Sequence, residues 1–182
     1  MINDISSDPR KTPDKEFVYI DIDSVENGTG KFSMEQKIMG VNAPSRARRL
    51  ACDKSILIST VRPNLKGFTY IDHALPNAVY STGFAILRSK NENQIMSKFV
   101  YYCFMYLPDL MNQMQKAMPK GQYPSINKTD IENFYIPVPP LTEQQRIVSE
   151  IEEYETQIST AQTVMASAST RKRTILEKWL NS

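Results

Sequence analysis

The chain has 182 residues, 41% of them hydrophobic and 23% charged, with a formal net charge of +2. That length holds one ordinary domain plus an appendage, not two independent cores, and the composition is that of a folded protein. The near-neutral balance excludes an acidic mimic of DNA, and two cysteines without CxxC spacing, Cys52 and Cys103, suit reduced thiols and a cytoplasmic setting.

The first 16 residues are polar, carry Pro9 and Pro13, and read as an extended lead-in with no signal-peptide core. VYIDIDSV (18–25) alternates, with Val18, Ile20 and Ile22 on one face and Tyr19, Asp21 and Asp23 on the other, which predicts a half-buried strand. NGTGK is a turn, because Gly28 and Gly30 tolerate positive φ. SILIST and GFTYID read as a strand pair joined across VRPNLK, and AVYSTGFAILRS as one more strand bulged near Gly83. From Asn93 the apolar spacing turns helical, and Pro108 ends or kinks that helix before DLMNQMQKAM forms a second one. FVYYCFMYL (99–107) is half the length a bilayer requires. A loop, KGQYPSIN, a helical turn near 129–133 and a final strand, NFYIPVP, complete an α+β domain over 1–140.

The remaining residues, 141–182, read as one coiled-coil helix. Thr142 and Gln145 have capping-box spacing. Ile147, Ile151, Tyr154, Ile158, Ala161, Met165, Ala168, Lys172, Ile175 and Trp179 then recur at alternating steps of 4 and 3, a heptad seam that no single helix can bury alone. At about 1.5 Å per residue the rod would be about 58 Å long. Glu143, Glu150, Glu152, Glu153 and Glu155 make its first half acidic, while Arg171, Lys172, Arg173 and Lys178 make its end basic. Macrodipole complementation explains that asymmetry; so does antiparallel pairing with a second copy, and the two are compatible.

No motif for chemistry emerges. A single histidine, His73, excludes HExxH; there is no GxSxG, no P-loop, no GxGxxG and no Asn/Asp-Pro-Pro-aromatic quartet. Pro108-Asp109 lacks the acid-x-Lys that would follow it in a metal-dependent nuclease, and Asp21 with Asp23 reads as surface rather than metal site. Basic residues instead gather at 43–66, with Arg46, Arg48, Arg49, Arg62 and Lys66 as candidate DNA contacts. Arginine's planar fork suits phosphate and guanine edges. Lys120, Gln122 and Tyr123 form a second candidate loop, Gln122 having the amide that pairs with adenine. The plainer alternative is two solvated loops with ordinary surface charge.

IPVPPLTEQQRIVSEIEEYETQI strongly resembles the boundary between recognition domain and conserved helix in specificity subunits of type I restriction-modification enzymes. PSRARRLACDKSILISTVRPNLK, STGFAILRS and KGQYPSINKTDIENFYIPVPPL are similar to recognition-domain segments of that family, so the likeness covers about residues 17–180. It implies a non-catalytic subunit reading one half of a bipartite double-stranded DNA target. Its helices would act as an antiparallel spacer that docks methyltransferase subunits. S-adenosylmethionine would belong to those subunits, and ATP and Mg²⁺ to a restriction subunit; none is expected in this chain. The family usually carries two recognition domains and two spacer helices, against one of each here, and the lead-in looks short. The chain is then expected to be a natural half-subunit, a truncated product or an excised piece. A half-subunit would dimerise through Ile147, Ile151, Tyr154, Ile158, Ala161, Met165, Ala168, Ile175 and Trp179. The rival expectation is a coiled-coil module with a globular head that assembles proteins without touching DNA; an enzyme fragment is a more distant one.

Overall fold

In the computed structural model, residues 5–31, 36–119 and 124–180 are described. The chain divides into two compact units, 1–144 and 145–182. The first is α+β. A four-stranded mixed sheet is ordered β2-β1-β6-β3, with β1 (Glu16–Ile20), β2 (Gln36–Met39), β3 (Ala47–Arg49) and β6 (Ala78–Ser81). A three-stranded antiparallel sheet is ordered β5-β4-β7, with β4 (Ser55–Ser59), β5 (Phe68–Ile71) and β7 (Phe84–Leu87).

One core joins the two sheets: Ile20, Tyr80, Leu57, Ile71, Phe84 and Ile86 are all buried together. Phe17, Tyr19, Ala47 and Val79 form a second cluster. β1 is therefore covered on both faces, and Tyr19 is buried, contrary to the half-exposed strand read from its alternation. The strand also ends earlier. Asp21 accepts the backbone amide of Ile22 and caps a 3₁₀ turn, Ile22–Ser24, so Asp21 and Asp23 do not share a strand face. Gly28 and Gly30 do adopt left-handed backbone, at φ +76° and +72°.

AVYSTGFAILRS is two strands in different sheets. The chain leaves β6, crosses at Thr82–Gly83 and enters β7. Gly83 suits the crossing, since an added Cβ would lie 3.0 Å from Ile22 Cγ2 and 3.3 Å from Arg46 Nη2. Pro108 does end helix α1 (Ser97–Tyr106) and opens α2 (Pro108–Ala117), with Leu107 extended between them. Phe104 of α1 meets Phe68 of β5 edge-on, centroids 6.2 Å apart. A short helix, α3 (Lys128–Glu132), opens on the Asn127–Asp130 capping box.

NFYIPVP is not a strand. Pro137 and Pro139 have no amide to donate, and the Gln113 side chain holds Tyr135 by both backbone groups, at 2.7 and 2.9 Å. The lead-in is not free over its described part: Ser7 N–H donates to Arg48 O, and Leu50 N–H to Ile5 O. Helix α4 (Leu141–Leu180) starts one residue before the expected cap. Pro140 O accepts the amides of Glu143 and Gln144, which makes Pro140 the cap and puts Thr142 inside the first turn.

Candidate nucleic-acid interface

Segments distant in sequence are laced together by backbone hydrogen bonds. Thr82 N–H donates to Arg46 O at 2.8 Å. Gly83 O accepts both the amide and the hydroxyl of Thr60, each at 2.8 Å. Thr60 O accepts the amide of Ile126, Val61 bridges Ser125 in antiparallel fashion, and Arg62 N–H donates to Pro124 O. The sheet crossing at 82–83, the turn before β3, the end of β4 and the segment before α3 thus meet along one seam. Buried backbone groups must find partners, and here they find one another across the two sheets. Arg46, Thr82, Arg62 and Ser125 border this seam with exposed side chains.

The five basic candidates at 43–66 separate by surroundings. Arg46 is exposed in the turn before β3. Arg62 is exposed in left-handed backbone, at φ 47°, heading a 3₁₀ turn that Lys66 closes at φ 57°. Non-glycine residues rarely adopt that region, and such strain often marks a functional position. Arg48 is mostly buried and turned toward the lead-in, with its guanidinium 3.3 Å from Asp8 and donating to Ala47 O. Arg10, hydrogen-bonded to Asp8, holds that carboxyl below its ordinary range, with Arg48 adding to the effect. Arg49 is half-buried on β3, opposite Tyr80 and bridged to Ser6. Lys66 places its ammonium 2.6 Å from Met105 O in the last turn of α1, where a cation complements the helix dipole. Lys120, Gln122 and Tyr123 lie outside the described residues.

Tyr19 was not read as part of any site. Burial chiefly pushes its phenol pKa up, with Ser81, Asp21 and Arg46 acting on it nearby. Thr60 and Thr82 were also missed; only the tertiary pairing distinguishes them from other strand-end threonines.

The description "type I restriction modification DNA specificity domain" belongs to the family whose profile matches residues 5–166. The chain is a member of that family. It is similar to the HsdS subunit from Thermoanaerobacter tengcongensis, with TM-score 0.76 and 30% identity, covering 95% of this chain and 44% of that one. It is also similar to a chain from work on complex assembly and conformational transition of the type I R-M system, with TM-score 0.74 and 29% identity, covering 96% and 45%. The chain therefore spans less than half the length of these solved relatives. The sequence resemblance and the α+β reading both hold.

For this specificity-domain chain, helix α4 taken by itself is 40 residues, about 60 Å at 1.5 Å per residue. Its heptad seam is open along the outer part: Tyr154, Ile158, Ala161, Met165, Ile175 and Trp179 are exposed, while Ile147, Ile151 and Ala168 are half-buried. Val164 and Leu176 are exposed as well and flank the a/d stripe at g and e, widening the apolar face beyond the predicted seam. Arg146–Glu150 and Arg173–Glu177 pair at i,i+4 on the same helix. Among the described residues no helix is long and apolar enough to cross a membrane.

Proposed function

We propose that this chain reads one half of a bipartite double-stranded DNA target and pairs with a second copy through α4. The observation that supports it most is the seam that brings exposed Arg46 and Arg62 together with the 124–126 segment. A planar guanidinium on each side of that seam can grip phosphate or a guanine edge, while Thr82 and Ser125 hydroxyls suit phosphate oxygens. Lys120, Gln122 and Tyr123 immediately precede Pro124 in the chain and are proposed as further contacts, Gln122 to a base. Arg49 is kept as a contact of lower reach. Arg48 and Lys66 act as supports that hold the lead-in and the end of α1.

In this reading the chain carries no chemistry of its own. A methyltransferase subunit supplies S-adenosylmethionine-dependent methylation, and a restriction subunit, where one joins, supplies ATP- and Mg²⁺-dependent cleavage. The apolar face of α4 closes against a second α4, antiparallel, so that acidic first halves meet basic ends. A twofold dimer would read an interrupted palindrome whose gap the paired helices set.

Selection from a randomised duplex pool, with the chain and a methyltransferase subunit present, tests the reading. Enrichment of an interrupted palindrome is expected. Recovery of the pool unenriched would favour the alternative, a coiled-coil assembly module that does not read DNA.

A further inference from the structure

The exposed Arg46 side chain rests against a residue that has none. A Cβ added to Gly83 would lie 3.3 Å from Arg46 Nη2, 3.0 Å from Ile22 Cγ2 and 3.4 Å from Ser81 Oγ. The guanidinium therefore takes up room that a side chain at 83 would fill. Unlike Gly28 and Gly30, Gly83 is not in left-handed backbone. What glycine supplies here is space, not an unusual torsion.

Gly83 is also pinned. Its carbonyl accepts both donors of Thr60 at 2.8 Å, and its amide donates to the buried Ser81 hydroxyl at 3.2 Å. The neighbouring Thr82 amide donates to Arg46 O at 2.8 Å. The sheet crossing thus meets Arg46 twice, at its carbonyl through Thr82 and at its guanidinium through Gly83. The charge of Arg46 also acts on the buried Tyr19 phenol, a second sign that the guanidinium lies back over the crossing. Arg48, two residues on, is held in another way, by giving its guanidinium to Asp8 and Ala47 O. Contact with a glycine methylene consumes no N–H donor. A long side chain loses rotamer freedom when it closes on a phosphate or a base, and one already directed loses less.

We infer that Gly83 is a positioning residue for DNA contact: by omitting a side chain it seats the Arg46 guanidinium over the sheet crossing and aims it before DNA arrives. The inference rests on the proposed role of Arg46 and adds what directs that residue.

The test is a double-mutant cycle in the full chain, read by fluorescence anisotropy at low salt with a labelled duplex of arbitrary sequence. Arg46→Ala should weaken binding about tenfold or more. Gly83→Ala, which pushes the guanidinium aside, should weaken it about 2- to 10-fold, as expected when one long side chain must be ordered anew. In the Arg46→Ala background, the same change at Gly83 should cost less than about twofold. Equal cost in both backgrounds would overturn the inference, since Gly83 would then act through the fold and not through Arg46. So would a loss with Arg46→Ala and none with Gly83→Ala. No loss with Arg46→Ala would overturn it together with the proposed role of Arg46, so the two failures are told apart. A further measurement needs neither DNA nor a change at 83. In ¹⁵N relaxation of the arginine Nε–H groups, Arg46, assigned by the signal lost in Arg46→Lys, should be more ordered than Arg171, which is exposed on α4. Equal mobility of the two would overturn the inference even if Gly83→Ala failed to fold.

Discussion

Replacing Arg46 or Arg62 by alanine should change how DNA binding responds to salt, while replacing Arg48 should not. A phosphate contact releases condensed counterions, and each contributes about 0.9 to the slope of log affinity against log salt. Loss of one such arginine should therefore flatten the slope by about 0.9, and loss of both by about 1.8. Between 50 and 200 mM salt the double variant should lose about 12-fold less affinity than the parent does. Arg48 lies two residues from Arg46, but its side chain is only 21% exposed and its guanidinium faces Asp8 and Ala47 O. Arg48→Ala should lower the melting temperature by releasing the lead-in and leave the slope intact. Fluorescence anisotropy with a labelled duplex of arbitrary sequence, over a KCl series, reads all three. Equal flattening by Arg48→Ala, or none by Arg46→Ala and Arg62→Ala, would refute the division of the cluster into surface contacts and internal supports.

Ile158→Asp should move the chain toward monomer in sedimentation, weakening self-association roughly 10-fold or more, because the carboxylate would have to be buried in a paired seam; Ile158 is 56% exposed in the single chain, so its melting should hold. Gly28→Ala and Gly30→Ala should separate in urea unfolding. Both meet the left-handed penalty of about 1–2 kcal/mol. Only at Gly30 would the new Cβ collide with the Tyr101 hydroxyl and lie 3.1 Å from Phe68 O, adding an overpacking cost of about 1–3 kcal/mol. Equal losses would show that the Tyr101 contact yields freely. Burial pushes the Cys103 thiol up to about 11 from an ordinary value of 9.0, so iodoacetamide at pH 8 should label Cys52 and spare Cys103 until the chain unfolds. Because the folded value is the raised one, the stability it contributes is present below about pH 9 and is lost as pH climbs toward 11. Cys103→Ala should flatten that decline.

Local chemistry carried much of the architecture. The Gly28 and Gly30 turn, the SILIST–GFTYID pair, the break at Pro108 and the long heptad helix all follow from preferences that act within a few residues. The misreadings share one cause. VYIDIDSV alternates as a half-exposed strand does, yet sheet neighbours and a second cluster cover both its faces. AVYSTGFAILRS has strand composition throughout, and nothing in it announces that its halves serve different sheets. NFYIPVP looks extended and is extended, but its partner is the Gln113 side chain and not a strand. At the α4 root, Thr142 and Gln145 have the right spacing for a cap, while Pro140 O takes that place and the buried Gln144 side chain serves Met96 at the start of α1.

The basic cluster shows the same limit at the candidate interface. Sequence marks Arg46, Arg48, Arg49, Arg62 and Lys66 alike, since charge and proximity are all it offers. Whether a guanidinium meets solvent or Asp8, and whether an ammonium meets a phosphate or Met105 O, depends on chain segments 39 or more residues away in the cases of Arg48 and Lys66. By itself the sequence determined the β4–β5 pair, the two helices broken at Pro108 and which helix keeps an open apolar face, because propensity and periodicity are local. The tertiary structure alone decided which cations reach the surface and where the buried Gln144 amide finds its partners, because a buried or paired group is defined by partners that only folding brings within hydrogen-bond range.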